Sequence, residues 1–348
     1  MDIHSRYQTI SSIAEECISR EELYNLVKSE RTLTCYDGFE PSGRMHIAQG
    51  LIRTINTNKL TKCRCKFKFW IADWFAFMNH KMGGDLSKIQ DVGKLMIETW
   101  KACGMDMTNV EFIWSSEGIN RDPNKYWFMV LDIASKFNLN RVLKCTQIMG
   151  RENSDDLAAS QILYPIMQCA DIFYLGVDIC SLGMDQRKVN MLAREYCDKV
   201  HKHKKPVILS HRMLMGLNGD EKMSKSNPDS AIFMDDNEME VNRKIKKSFC
   251  PIGEVHGNPI MEYVEYIIFG MFDTFTVERK ESHGGDLTYT YYSKLREDFK
   301  TQILHPADLK PAVAKYINKA LKPVREYFEN NKEAKRLQKK VKSYQVTR

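Results

Sequence analysis

The chain has 348 residues, 43% hydrophobic and 28% charged, which is the composition of a folded globular protein with room for two domains of ordinary size. Its net charge of +7 permits a polyanionic partner without requiring one. The opening MDIHSRYQTISSIAEE is acidic and lacks an apolar stretch, and no long uncharged apolar run follows. Neither a secretory leader nor a membrane span is therefore expected, and the ten cysteines, with no C-x-x-C pair, point to reduced thiols in a cytoplasmic protein.

Residues 8 to 28 carry Ile10, Ile13, Ala14, Cys17 and Ile18 at helical spacing, which predicts a helix. Thr32 to Asp37 is a short β-prone run ending at Gly38, and a helix is expected to start near His46. Lys66 to Asp73 reads as a buried strand, 85 to 103 as a helix stopped by Gly104, and Asn109 to Ser115 as a strand. Helices are expected over 124–138 and 157–174. Val177 to Leu182 is a strand leading into a helix from Met184 to Val200, and 206–209 is one more short strand. This alternation predicts an α/β fold, a Rossmann-like doubly wound parallel sheet with ligands at the carboxyl ends of its strands.

From Asn237 onward the pattern is mainly helical. Two domains are expected, 1–231 and 232–348, the second smaller and helical. The stretch Lys332 to Lys342, KEAKRLQKKVK, is a basic helix, and a solvated face and an RNA contact fit it equally.

Three segments carry chemistry. Gly38 to Gly50, GFEPSGRMHIAQG, follows a strand and enters a helix, so backbone N–H groups and a helix N-terminus face any bound anion. It matches neither G-x-x-x-x-G-K-[ST] nor G-x-G-x-x-G, and a tight turn without ligand is its plain alternative. Gly219 to Ser226, GDEKMSKS, places Lys222 and Lys225 among hydroxyls, which suits a departing polyphosphate. Tyr164 to Lys188 contains Tyr164, Gln168 and Asp171 at i, i+4 and i+7, a polar face on an apolar helix. A buried aspartate there needs a partner.

The first two segments resemble the paired HIGH and KMSKS signatures of class I aminoacyl-tRNA synthetases. The first reads His46-Ile47-Ala48-Gln49, so Gln49 replaces a histidine and cannot carry charge. The second is complete. Y-P-x-x-Q-x-x-D, G-V-D and G-x-D-Q-R-K, with Y-D-G-F-E-P-S-G-x-x-H at Tyr36 to His46, resemble tyrosyl-tRNA synthetases of the archaeal and eukaryotic type. The likeness runs over nearly the whole chain, through Asn258–Glu262, Gly284–Thr288 and Leu304–Lys310.

That resemblance implies tyrosine–tRNA ligation using ATP with Mg²⁺ as substrate, and no protein-bound metal. It implies that Tyr36 and Asp171 hold the phenol oxygen and that Tyr164, Gln168 and Gln186 hold the α-amino group. His46, Gln49, Lys222 and Lys225 would be the catalytic set acting on the ATP phosphates. Gly38, Glu40 and Gly43 would line the first turn, Gly183 and Asp185 would hold the ribose, and Met223, Ser224 and Ser226 would complete the second loop. Arg187 and Lys188 would face the tRNA acceptor stem, while His283, His305 and Asp308 would meet the anticodon. A plain turn residue is the equal alternative for His283. The family forms homodimers through helices near 125 to 150. Tyr126, Trp127 and Phe128 fit such a surface and equally fit a core.

A carboxylate paired with a tyrosine hydroxyl suits a phenol, which both donates and accepts, and leaves polar groups unpaired when phenylalanine enters. The nearest rival is a tryptophanyl-tRNA synthetase, whose indole only donates. Another reading is a synthetase-like protein that binds RNA without catalysis, which the altered first signature favours and the complete second one opposes.

Overall fold

Along Cys65–Ile71 the side chains alternate between the two faces of the strand: Cys65, Phe67, Phe69 and Ile71 enter one core, while the other face changes from exposed Lys66 through half-buried Lys68 to Trp70 in a second core. A strand buried on both faces at its carboxyl end belongs in the middle of a sheet covered by helices on both sides. The computed structural model, which describes residues 1–149, 158–201, 204–220, 223 and 227–344, has that arrangement. Among the described residues one sheet contains β1 (Glu16–Ile18), β2 (Leu33–Phe39), β3 (Cys65–Ile71), β4 (Val110–Trp114), β5 (Ile179–Cys180) and β6 (Val207–Ser210). Their order is β1-β6-β5-β2-β3-β4, and only β1, on β6, runs antiparallel.

From β2 the chain winds outward to β3 and β4, then returns across the sheet to β5 and β6. Winding reverses between β2 and β5, so their connections diverge and leave a crevice at the carboxyl ends. Helices Arg53–Lys62 and Leu86–Ala102 contribute to the core on the Phe69 face. Helices Pro123–Lys136, Ala159–Tyr174 and Arg187–Val200 contribute to the core on the Trp70 face.

The expected helix over 8–28 is two helices, Ile3–Ser11 and Arg20–Lys28, separated by β1. Ser19 and Glu22 form a reciprocal capping box that starts the second helix afresh, at 3.2 and 3.4 Å. Cys17 and Ile18 pair instead with Leu209 and Ile208 of β6. A short apolar run of that kind carries no period that separates helix from strand. The helix expected near His46 opens with a π-helical turn, Ala48–Ile52, before becoming α-helical at Arg53. Such turns widen the backbone and recur at functional sites.

Beyond residue 237 the chain is helical, with helices Glu238–Lys247, Tyr292–Lys300, Pro306–Asn330 and Lys332–Lys342. The sequence did not reveal a small antiparallel pair, β7 (Phe275–Val277) with β8 (Leu287–Tyr289). The basic helix 332–342 buries Ala334 and Val341 and lies against helix Leu86–Ala102, where Lys340 and the Tyr344 hydroxyl each reach Asp91 at 2.6 Å.

Candidate active site

A cavity of about 290 Å³ opens at the point where the winding reverses. Tyr36 and Asp37 are adjacent at the end of β2, so the pleat sends their side chains to opposite faces of the sheet. The cavity therefore has two chemically different ends, one built around Tyr36 and one around Asp37.

At the Tyr36 end, helix Ala159–Tyr174 brings Tyr164, Gln168 and Asp171 to the cavity wall, as their spacing requires. Asp171 is fully buried. Its Oδ1 accepts a hydrogen bond from the Tyr126 hydroxyl at 2.7 Å. Its Oδ2 and the Trp70 indole nitrogen are both buried and make no hydrogen bond of good geometry, although the indole lies close enough to the carboxyl to favour its charge. Burial pushes the Asp171 carboxyl well above the usual carboxylate range, and the Tyr126 hydroxyl and nearby Trp70 indole offset this only in part. Burial and the Asp171 charge likewise raise the Tyr36 phenol. Two oxygen-bearing groups, both buried, thus border one cavity.

The rest of that end fits a small amino acid. Phe75 meets Tyr164 edge-on with ring centroids 4.9 Å apart. Gln168 Nε2 donates to Gln186 Oε1 at 3.1 Å, and Gln186 donates to the Ile148 carbonyl at 3.2 Å. These amides are held by one another and keep spare acceptor capacity toward a charged amine.

At the Asp37 end, Arg53 Nη2 lies 2.5 Å from Asp37 Oδ2, its Nη1 donates to Ser181 Oγ at 3.3 Å, and its Nη2 also meets the His211 ring. Burial raises the Asp37 carboxyl to about 7 against the opposing Arg53 charge. Burial and Arg53 together lower His211 to about 3, so its imidazole is neutral at working pH. Gly38 and Gly183 sit beside this cluster. A Cβ at Gly183 would meet Asp185 Oδ1 at 2.4 Å and Met213 Sδ at 2.8 Å, so a larger residue there would push these two cavity-lining side chains aside. Glu40, on the cavity wall, accepts from the buried Asn79 Nδ2 at 3.0 and 3.2 Å.

His46, Gln49 and Met223 line the same end. Trp100 Nε1 donates to the Gln49 carbonyl at 2.8 Å and fixes the start of the π-helical turn. Gly43, at φ 116°, makes the turn before it. Ile47 N–H donates to the Ile232 carbonyl at 2.8 Å and Met234 N–H to the Met45 carbonyl at 2.9 Å, with His46 paired to Phe233. The first signature segment is therefore joined by a short backbone bridge to residues 232–234, which follow the second signature segment in the chain. Lys222, Ser224, Lys225 and Ser226 lie outside the described residues.

Arg187 and Lys188 open the helix beyond Gln186, where Arg187 Nε donates to Glu16 at 2.7 Å and Lys188 to Gln147. Far from the cavity, in the helical region, His283 Nδ1 lies 3.9 Å from Asp308 Oδ1. His305 caps helix Pro306–Asn330 by accepting from Ala307 N–H at 3.1 Å. Tyr126, Asp37, Arg53 and His211 were not predicted as site residues. Tyr126, weighed as surface or core, is fully buried, whereas its neighbours Trp127 and Phe128 are exposed. Asp37 lies within the Tyr36–His46 motif, while nothing in the sequence singles out Arg53 or His211.

Comparison with known proteins gives a consistent picture. The family model described as "tRNA synthetases class I (W and Y)" matches residues 28–322. "Tyrosine--tRNA ligase 1, cytoplasmic" of Arabidopsis thaliana is 58% identical over 348 residues, 100% of this chain and 90% of that protein. The structure of Leishmania major tyrosyl-tRNA synthetase in complex with tyrosinol superposes with a TM-score of 0.93 at 47% identity, over 99% of this chain and 53% of that one. The chain thus spans about half the length of the Leishmania protein. Tyrosyl-tRNA synthetase complexed with L-tyrosine from Pyrococcus horikoshii gives a TM-score of 0.89 at 38% identity, over 98% and 100% of the two chains.

Proposed function

The chain belongs to the class I tRNA synthetases of the tyrosyl and tryptophanyl family, and from that premise we propose how it works as a tyrosine–tRNA ligase. The observation that carries this reading is the buried pair Tyr36 and Asp171, with Asp171 Oδ2 making no well-formed hydrogen bond at the inner end of the cavity. A phenol hydroxyl donates to that oxygen and accepts from Tyr36. An indole cannot do both, and phenylalanine leaves both groups unpaired.

Tyr164, Gln168 and Gln186 orient the α-amino group, which presents the carboxylate to ATP. One carboxylate oxygen forms a bond to the α-phosphorus of Mg-ATP as the bond to the bridging oxygen breaks and pyrophosphate leaves. A ribose hydroxyl at the tRNA 3′ end then attacks the mixed anhydride and releases AMP. No side-chain nucleophile is needed. The chain supplies position and charge: His46 and Gln49 at the phosphates, Gly38, Glu40 and Gly43 around them, Gly183 and Asp185 at the ribose, and Lys222 and Lys225 with Met223, Ser224 and Ser226 following the pyrophosphate.

On this reading residues 1–231 perform the chemistry and bind the acceptor end at Arg187 and Lys188. Residues 232–348 meet the anticodon at His283, His305 and Asp308. A homodimer through the exposed Phe128 and Leu131, 73% and 66% accessible, covers an apolar strip on helix Pro123–Lys136. The cytoplasm is the compartment, in keeping with the name of the Arabidopsis relative and with ten free cysteines. Tyrosine-dependent exchange of pyrophosphate into ATP tests the assignment. Exchange supported by tryptophan and not by tyrosine would reject it.

A further inference from the structure

The basic C-terminal helix has no part in the reaction as described, yet it ends at the signature turn. Arg44 lies in that turn, between Gly43 and Met45. Its Nε and Nη2 donate to Asp235 Oδ1 at 3.0 and 2.7 Å, and Nη2 also reaches Asp236 Oδ1 at 2.9 Å. The guanidinium lies over the Phe233 ring, 4.2 Å from its centre. Asp236 is fully buried and engaged by Lys244 at 2.6 Å and by the Phe233 N–H at 3.0 Å. Asp235 is different. Its second oxygen points away from the turn and meets Lys342 Nζ of helix Lys332–Lys342 at 3.0 Å. A small cavity of about 30 Å³ between Gly43, Met45, Met234 and Val341 is roofed by the same helix. The helix is pinned independently by Lys340 and Tyr344 on Asp91.

We propose that Asp235 is a positioning residue for the nucleotide, bridging Arg44 of the signature turn to Lys342, so that the C-terminal helix sets the geometry of the ATP site. The proposal rests on reading Gly43–Gln49 as the ATP turn. Gly43 gives this turn a pliable backbone at φ 116°. The Arg44 guanidinium, doubly bonded to Asp235 and shared with Asp236, fixes it from outside the cavity. The Lys342 pair is half-exposed, and such a pair adds little to stability. A sub-ångström displacement of a phosphate-binding turn nevertheless alters catalysis strongly.

The test is pyrophosphate exchange by the full chain, with ATP and tyrosine varied separately. Asp235→Asn keeps the shape and removes the charge. It is expected to raise the KM for ATP by about 10-fold, the effect of losing one charge-assisted bond, and to leave the KM for tyrosine within about twofold. Lys342→Ala is expected to raise the KM for ATP by about 2–3-fold, within the range of an exposed ion pair. The double variant should behave like Asp235→Asn alone, because both changes break one chain of contacts. An unchanged KM for ATP in Lys342→Ala, equal rises for ATP and tyrosine, or additive effects in the double variant overturn the proposal. Should Asp235→Asn fail to fold, Lys342→Ala decides alone. Absence of exchange in the parent chain would instead reject the functional reading, and this proposal with it.

Discussion

On the proposed reading the phenol end of the cavity and the histidine cluster of the helical region each receive a flat ring, and they are built in opposite ways. Asp171, Tyr36 and Tyr126 are at most 1% exposed and come from three separate elements. The His283 side chain is 57% exposed, with the Asp308 carboxylate 3.9 Å from its Nδ1. Rejecting a ligand that lacks one hydroxyl requires a dry site whose polar groups have no other partner. Reading a base in RNA requires an open face on which to stack and a charge that water already solvates. Substitutions should therefore act steeply in the first region and in a graded, salt-sensitive way in the second.

The sharpest break in that comparison is Asp171→Ala, expected to lower tyrosine-dependent kcat/KM by about 100-fold, the loss of a buried charge-assisted bond. A drop below tenfold would mean that the carboxyl does not hold the phenol. Asp171→Asn adds a test of burial. Because burial raises this carboxyl in the folded protein, its ionisation opposes folding above the unfolded value of 3.8. Asp171→Asn should then melt higher than the parent at neutral pH, by about 2–4 °C for each kcal/mol relieved, and the gap should close as the pH falls toward 3.8. Thermal melts across that range check the sign.

Tyr126→Phe touches no substrate on this reading and removes one bond to Asp171 Oδ1. It should lower kcat/KM for tyrosine by about 10-fold and narrow the preference for tyrosine over phenylalanine, since Asp171 is then free to turn. Equal losses for both amino acids would assign Tyr126 to packing alone. In the open region, His283→Ala should raise the KM for tRNA by about fivefold, near the lower end for stacking on one base, with pyrophosphate exchange unchanged. An exchange defect in that variant would show that the two regions are not separable as described. Raised salt should weaken tRNA binding while leaving tyrosine binding nearly constant.

What was legible in the sequence is what local periodicity fixes. Tyr164, Gln168 and Asp171 share a face because a helix places i, i+4 and i+7 together, and the β-prone run from Thr32 marks a strand, which continues through Gly38 to Phe39. The switch point followed from strand–helix alternation. Tyr126 was not legible: its hydroxyl's partners, Met167 and Asp171, are 41 and 45 residues away, and its neighbours Trp127 and Phe128 read the same in sequence but face solvent. Arg53 and His211 are 158 residues apart and meet only through the sheet. The charge pattern of 332–342 describes a polar face well, yet a lysine that meets solvent and one that meets Asp91 or Asp235 look alike in a string of letters. The β1 strand was missed for the same reason, because its partner β6 arrives late in the chain.

That late partner imposes an order on the way the molecule is made. The central strand β2 can pair with β3 soon after both leave the ribosome, but its other neighbour, β5, is not synthesised until residue 179. Until then a growing chain has an open hydrogen-bonding edge along Leu33–Phe39, the strand that carries Tyr36, and β1 waits longer still for residues 207–210. Pairings of such sequence separation close slowly and leave edges open to other chains meanwhile. The half-made sheet is therefore the stage of biosynthesis at which this protein most needs shielding from its neighbours, and a tyrosine site cannot exist before β5 is in place.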